Sequence, residues 1–169
     1  MRVLVAISAC AAVAVAVAHW PESPLPDGVR ADKVVVKKGA RRLVLYSGDR
    51  VLREYSVALG GNPAGPKQKE GDERTPEGRY VLDYRNPHSA FHLSLHISYP
   101  SAGDKAAANA RGAPPGGLIM VHGVKDNLRF LGRAHVLLDW TEGCVAVTNQ
   151  QIEEIWRVVP DGTPIVLEP

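Results

Sequence analysis

Cysteine is scarce in this chain, which holds 2 in 169 residues. Cys10 and Cys144 cannot build a disulfide framework, so a small cystine-stapled fold is excluded. Charge of one sign is also missing: 20 basic residues face 18 acidic ones, and no basic run is interleaved with aromatics, so nothing indicates nucleic acid. Low hydropathy, low complexity and internal repeats are absent too. With 45% hydrophobic and 22% charged residues, the composition is that of one globular domain with a proper core.

One long apolar run is present. Met1-Arg2 gives a short positive start, Val3 to Ala18 is apolar apart from Ser8, and Ala16-Val17-Ala18 supplies an A-x-A cleavage pattern. Residues 1–18 read as a secretory signal peptide, with an uncleaved membrane anchor as the alternative. Ile7-Ser8-Ala9-Cys10 looks like a lipoprotein-processing box, but the apolar stretch continues past Cys10, which argues against lipidation there. Residues 19–31, with Pro21, Pro24, Pro26 and Gly28, read as a linker, and 32–169 as the domain. Export places the chain in the periplasm or cell envelope, touching a membrane only through an uncut signal. Cleavage after Ala18 leaves Cys144 as a lone thiol in an oxidising compartment. It is either a small buried hydrophobe or a functional group, and the count alone does not decide.

Short β-prone runs recur: 33–37, 43–46, 51–59, 79–84, 118–121, 144–147 and 165–167. Between Phe91 and Tyr99 apolar and polar residues alternate, which predicts a strand with one buried face. Along it His88, His92 and His96 sit four apart. On a helix they would align as metal ligands, but on a strand they lie roughly 13 Å apart, too far to share an ion. Ser94, His96 and Tyr99 line a cleft or are ordinary strand residues. Residues 100–117 read as an irregular crossing with some helix, and 124–140 as a short helix plus loop. Thr148 and Gln151 form a capping box opening a helix whose Ile152, Ile155, Trp156 and Val159 share one face. Arg41-Arg42 and Lys67-Gln68-Lys69 read as solvated loop charges. Strands dominate, so the fold class is β-rich, mainly β, with a few short helices.

A nucleophilic cysteine needs a base, because its thiol is mostly protonated at neutral pH. His122, at the end of a strand, is the candidate. Cys144 follows Gly143 in a turn where backbone N–H groups can converge as an oxyanion hole. For His122 alone, a histidine satisfied at a strand end is the competing reading.

The combination Ile119-Met120-Val121-His122-Gly123 with Thr141-Glu142-Gly143-Cys144-Val145 resembles the signature of the L,D-transpeptidase catalytic domain of the YkuD type. Gly60-Gly61-Asn62-Pro63, Gly71-Asp72 and Arg74-Thr75-Pro76-Glu77-Gly78 resemble that family's upstream segment. The likeness runs from about Lys33 to Leu167. It implies a sandwich-like β-rich domain acting on peptidoglycan stem peptides, with a thioester on Cys144, release of D-alanine and transfer to an amine acceptor. That acceptor is a second stem peptide or a lipoprotein lysine. Carried over residue by residue, Cys144 is the nucleophile and His122 the base. The Gly123 carbonyl orients the imidazole, the Gly143 and Cys144 N–H groups hold the oxyanion, and Thr141 and Glu142 line the site. No metal or organic cofactor is implied. Ala146 stands where the family usually has Arg or Asn, removing a bidentate partner for a carboxylate. The spacer from His122 to Thr141 is long for the family. A hydrolase using the same Cys/His pair is the main alternative, and a non-catalytic wall-binding module a further one.

Overall fold

The computed structural model describes residues 23–169. The expected signal peptide, and the first part of the linker, lie outside those residues. Eight strands form one mixed sheet: β1 (Lys33–Lys37), β2 (Arg42–Ser47), β3 (Arg50–Ser56), β4 (Gly78–Ser89), β5 (His92–Ile97), β6 (Met120–His122), β7 (Val145–Ala146) and β8 (Thr163–Glu168). Their order across the sheet is β3-β2-β1-β8-β4-β5-β6-β7. Among the described residues two α-helices, α1 (Ala102–Ala110) and α2 (Asn149–Val158), and a 3-10 segment over Asp126–Leu137 accompany the sheet.

The sheet does not stay open. Just after β3, Ala58 pairs with Ala146 of β7, its N–H 3.0 Å from the Ala146 carbonyl and the reciprocal bond at 2.9 Å. The chain following the first edge strand thus covers the last, and the sandwich-like form expected from the sequence is one sheet curled on itself. Curling also satisfies an edge that would otherwise display unpaired backbone groups.

The core lies inside the curl and under α2. Val34, Val36, Leu43, Leu45, Leu95, Ile97, Val121, Val145 and Ile165 belong to it, every second residue of a strand sharing one face. α2 begins as the sequence predicts: Thr148 Oγ1 accepts the Gln151 N–H, and the Gln151 side chain accepts the Thr148 N–H. It lays Ile152, Ile155 and Val158 against the sheet. Each such side chain contributes about 1.5–3 kcal/mol by leaving water.

Several expectations are corrected. β4 runs to Ser89, well past Tyr84, because its far end pairs with β5. β3 ends at Ser56, and the chain beyond turns toward β7. Leu118, read as part of a buried strand, is 74% exposed with φ 54°, and the strand starts only at Met120. The short helix read within residues 124–140 is of the 3-10 type, over Asp126–Leu137, and is broken at Gly132. Lys67 is buried and ion-paired with Asp72 at 2.8 Å, so it is not a solvated loop charge.

Charged side chains fasten the long loop of residues 57–77. Lys38 is buried, and its Nζ donates to the carbonyls of Gly65 and Thr75 and to Glu77. Residues 25–31, at the end of the sequence-read linker, lie on the domain: the Leu25 N–H donates to Glu154 Oε1 and the Ala31 N–H to the Val158 carbonyl.

Candidate active site

β6 and β7 run parallel with Val121 opposite Val145 and His122 opposite Ala146. Period two then puts His122, Ala146 and, one step before β7, Cys144 on the same side of the sheet, while Val121 and Val145 point into the core. Register, not sequence proximity, brings base and thiol together. Ala146, at the position where the sequence lacks the expected Arg, is fully buried directly opposite His122.

His122 is held in one tautomer. Its Nδ1 lies 2.6 Å from the Gly123 carbonyl, and a carbonyl only accepts, so Nδ1 carries the proton and Nε2 presents a lone pair. Gly123 is where the backbone comes too close for a side chain: a Cβ there would lie 2.6 Å from Asn149 Oδ1 and 3.0 Å from the Phe91 carbonyl. Asn149 Oδ1 also accepts the Val124 N–H at 2.7 Å, tying the loop after His122 to the first turn of α2. Phe91 packs 4.5 Å from the imidazole, and Trp140 approaches it edge-on at 5.8 Å. This apolar enclosure favours the uncharged ring and brings His122 down to about 4, against the Gly123 hydrogen bond, which favours the charged form.

Cys144 is partly exposed at the mouth. Its Sγ accepts the Met120 N–H at 3.4 Å and faces the Leu118 carbonyl at 3.6 Å. Burial pushes the thiol above its ordinary value; the Met120 N–H and Lys67 oppose this, and Glu142 adds to it. Both shifts favour the uncharged forms, so thiol and imidazole rest as a neutral pair.

The turn before Cys144 is clamped by Thr141. Its Oγ1 accepts the Gly143 N–H at 3.1 Å and donates to the Cys144 carbonyl at 2.8 Å. The Gly143 N–H is thereby engaged, which leaves the Cys144 N–H as the open donor beside the sulfur among the described residues. Gly143 has φ 124°, and a Cβ would lie 2.5 Å from the Arg74 carbonyl, so no other residue fits. Glu142 is exposed at the rim. The turn is anchored from behind: the Thr141 N–H donates to the Leu59 carbonyl and the Gly61 N–H to the Thr141 carbonyl. Asp139 takes Arg41 in an ion pair at 2.7 Å and accepts the Leu59 N–H at 2.9 Å.

The histidines of the metal pattern do not converge. His92 pairs with Glu153, His96 with Asp83, and among the described residues no group of three or more His, Cys, Asp or Glu could hold a metal. Ser94 is buried within the sheet, and the Tyr99 hydroxyl donates to the Pro115 carbonyl, so these and His96 serve the strands. Sequence reasoning missed Phe91, Trp140, His135 and Asn149 as site residues. Trp140 carried a signal, an aromatic immediately before the Thr141 turn; the others are joined to the site only by folding.

The YkuD model, described as the L,D-transpeptidase catalytic domain, matches residues 31–167. YafK of Escherichia coli (strain K12), provisionally named an L,D-transpeptidase, is 30% identical over 132 residues, which cover 75% of this chain and 46% of that protein. The helical cell shape determining protein Pgp2 of Campylobacter jejuni superposes with a TM-score of 0.63 at 25% identity, over 91% of this chain and 53% of Pgp2. An L,D-transpeptidase of Xylanimonas cellulosilytica shares the fold, with a TM-score of 0.52 at 18% identity over 86% of this chain and 64% of that one. The chain thus spans about half the length of YafK and Pgp2. Since the matched span runs from before β1 nearly to the end of β8 and takes in both His122 and Cys144, the chain belongs to the YkuD family of L,D-transpeptidase catalytic domains.

Proposed function

We propose that this protein is an exported enzyme of the cell envelope that transfers the acyl group of a peptidoglycan stem peptide through a thioester on Cys144. The observation that carries this reading is the fixed tautomer of His122: Nδ1–H is committed to the Gly123 carbonyl, and Nε2 stands free on the sheet face it shares with Cys144. The likeness to Pgp2, a cell-shape-determining protein, supports a substrate in the wall. Residues 1–18 act as the leader that carries the domain out.

The steps follow from these atoms. The Cys144 proton passes to His122 Nε2 as Sγ adds to the carbonyl carbon of the third stem residue. The oxyanion forms beside the Cys144 N–H, and one such donor is worth about 3 kcal/mol of transition-state stabilisation. The bond to the terminal D-alanine nitrogen breaks, and His122 returns the proton to that leaving amine. An amine acceptor then attacks the thioester, gives its proton to His122, and the sulfur leaves and is reprotonated.

The test is incubation of the purified protein, and of Cys144→Ala, with sacculi and defined tetrapeptide muropeptides, reading products by mass spectrometry. Cysteine-dependent loss of D-alanine with new crosslinked dimers or amine adducts is the expected result. Shortened or released peptides without adducts would make water the acceptor and the protein a hydrolase. Identical products from both proteins would overturn the assignment to Cys144.

A further inference from the structure

His135 is 5% exposed, yet neither of its ring nitrogens has a hydrogen-bond partner among the described residues. Leaving a buried donor and acceptor unmade carries the full desolvation cost of each, whereas an apolar side chain of similar size would carry none. The imidazole is thus a poor choice for holding the fold together.

Its position gives it another use. His135 meets the Trp140 ring edge-on at 6.3 Å, and Trp140 in turn meets His122 at 5.8 Å. Burial first, and then the nearness of His122, bring His135 down to about 4. It is therefore a neutral ring at neutral pH, with one N–H donor and one acceptor nitrogen. A carboxylate would satisfy only the donor. An ammonium would satisfy only the acceptor and set a cation near His122. A stretch of peptide backbone offers a carbonyl to one side of the ring and an N–H to the other, and satisfies both.

The segment that carries His135 is built to yield. Lys125, at its start, makes no side-chain cap, Gly132 breaks it at φ 49° and ψ −132°, and His135 is its buried residue. Leu128, Phe130 and Leu137 are exposed. Arg133 and Val136 line an open pocket of about 230 Å³ together with Ser56, Thr148 and Gln151. Little apolar surface is lost from the core if these turns shift, so opening is inexpensive here.

We propose that His135 is a substrate-binding residue that takes the backbone of the stem peptide, its ring N–H to the carbonyl of one peptide group and its free nitrogen to the N–H of another, as the 3-10 segment shifts aside. This rests on the peptide-substrate reading above. The long spacer between His122 and Thr141 is then the part that grips the acyl donor.

Binding measured without turnover separates the two ideas. Titration of a soluble tetrapeptide muropeptide into Cys144→Ala by calorimetry is compared with Cys144→Ala/His135→Leu and Cys144→Ala/His135→Gln. Loss of the paired contact is expected to weaken binding about tenfold or more in the Leu variant. Gln, which keeps a donor and an acceptor, recovers part of it. The Leu variant is expected to melt at or above the temperature of its parent, since it removes two unmet polar atoms. Depsipeptide analogues, each with one ester in place of an amide, are expected to include one that weakens the parent but not the Leu variant. Equal affinities, a Leu variant that melts lower with affinity intact, or no binding to the parent at all would each overturn the role of His135. Failure of the wild-type protein to turn over a peptide that it binds would instead count against the proposed function alone.

Discussion

The Thr141 hydroxyl donates to the carbonyl of Cys144 across 2.8 Å, while its oxygen also accepts the Gly143 N–H at 3.1 Å. One side chain therefore fixes the backbone on both sides of the sulfur. Thr141→Val keeps the shape and loses both bonds. It should cost about 2 kcal/mol of stability and lower kcat/KM by about tenfold or more by misplacing the Cys144 N–H. Thr141→Ser should restore most of both. Denaturant titration together with steady-state kinetics checks this, and a fully active Val variant would show that the clamp does not matter.

Gly143→Ala tests the space rather than the bonds. With φ at 124° and a Cβ 2.5 Å from the Arg74 carbonyl, the added methyl must displace the backbone. A loss of about 3 kcal/mol or more is expected, read from the urea midpoint, and a near-native midpoint would contradict the geometry.

Stability should depend on pH through two buried histidines. In the fold His122 and His135 lie near 4, against about 6.5 when unfolded. Between those values the unfolded chain binds more protons, so unfolding free energy falls as pH falls through the window. These two groups leave it flat above 6.5. The loss approaches about 3 kcal/mol per histidine near its lower end. Urea titrations at pH 7 and pH 4.5 measure it, and His135→Leu should make the fall shallower. An unchanged slope in that variant would show that its imidazole is already charged in the fold.

The resting thiol should be sluggish. Because burial raises Cys144 and His122 is neutral above about 4, alkylation by iodoacetamide should climb with pH through and beyond the ordinary thiol range. A plateau at pH 5–7 would reveal a preformed thiolate–imidazolium pair.

Lys38→Met should destabilise by about 3–5 kcal/mol, since it strips a buried ammonium from the carbonyls of Gly65 and Thr75 and from Glu77. Limited proteolysis should then cut first between residues 60 and 77, and protection of that loop would refute the tie.

What local pattern controls was legible in the sequence. The Thr148–Gln151 box and the apolar spacing after it gave α2, and alternation gave β5. The thiol beside a glycine and a histidine at a strand end gave the pair, although only register shows that they share a face. What escaped was set by distant partners. β4 is long because β5 extends it, Lys67 is buried because Asp72 awaits it, and Arg41 reaches Asp139 across 98 positions. Leu118 looked like core because it is apolar, but it follows Gly116-Gly117 and turns outward. His135 left no trace, since a histidine with no partner looks the same on paper as one that has them.

The Ala58–Ala146 pairing has a consequence in time as well as in space. β7 has only two residues, and its neighbours come from β6 and from the chain just beyond β3. Contacts so distant in sequence form late, because long loops must close first. A half-collapsed chain would hold Cys144 as an ordinary flexible thiol, without His122 on its face or a fixed N–H beside it. The paired arrangement of thiol and imidazole would then arise only with the closing of the sheet.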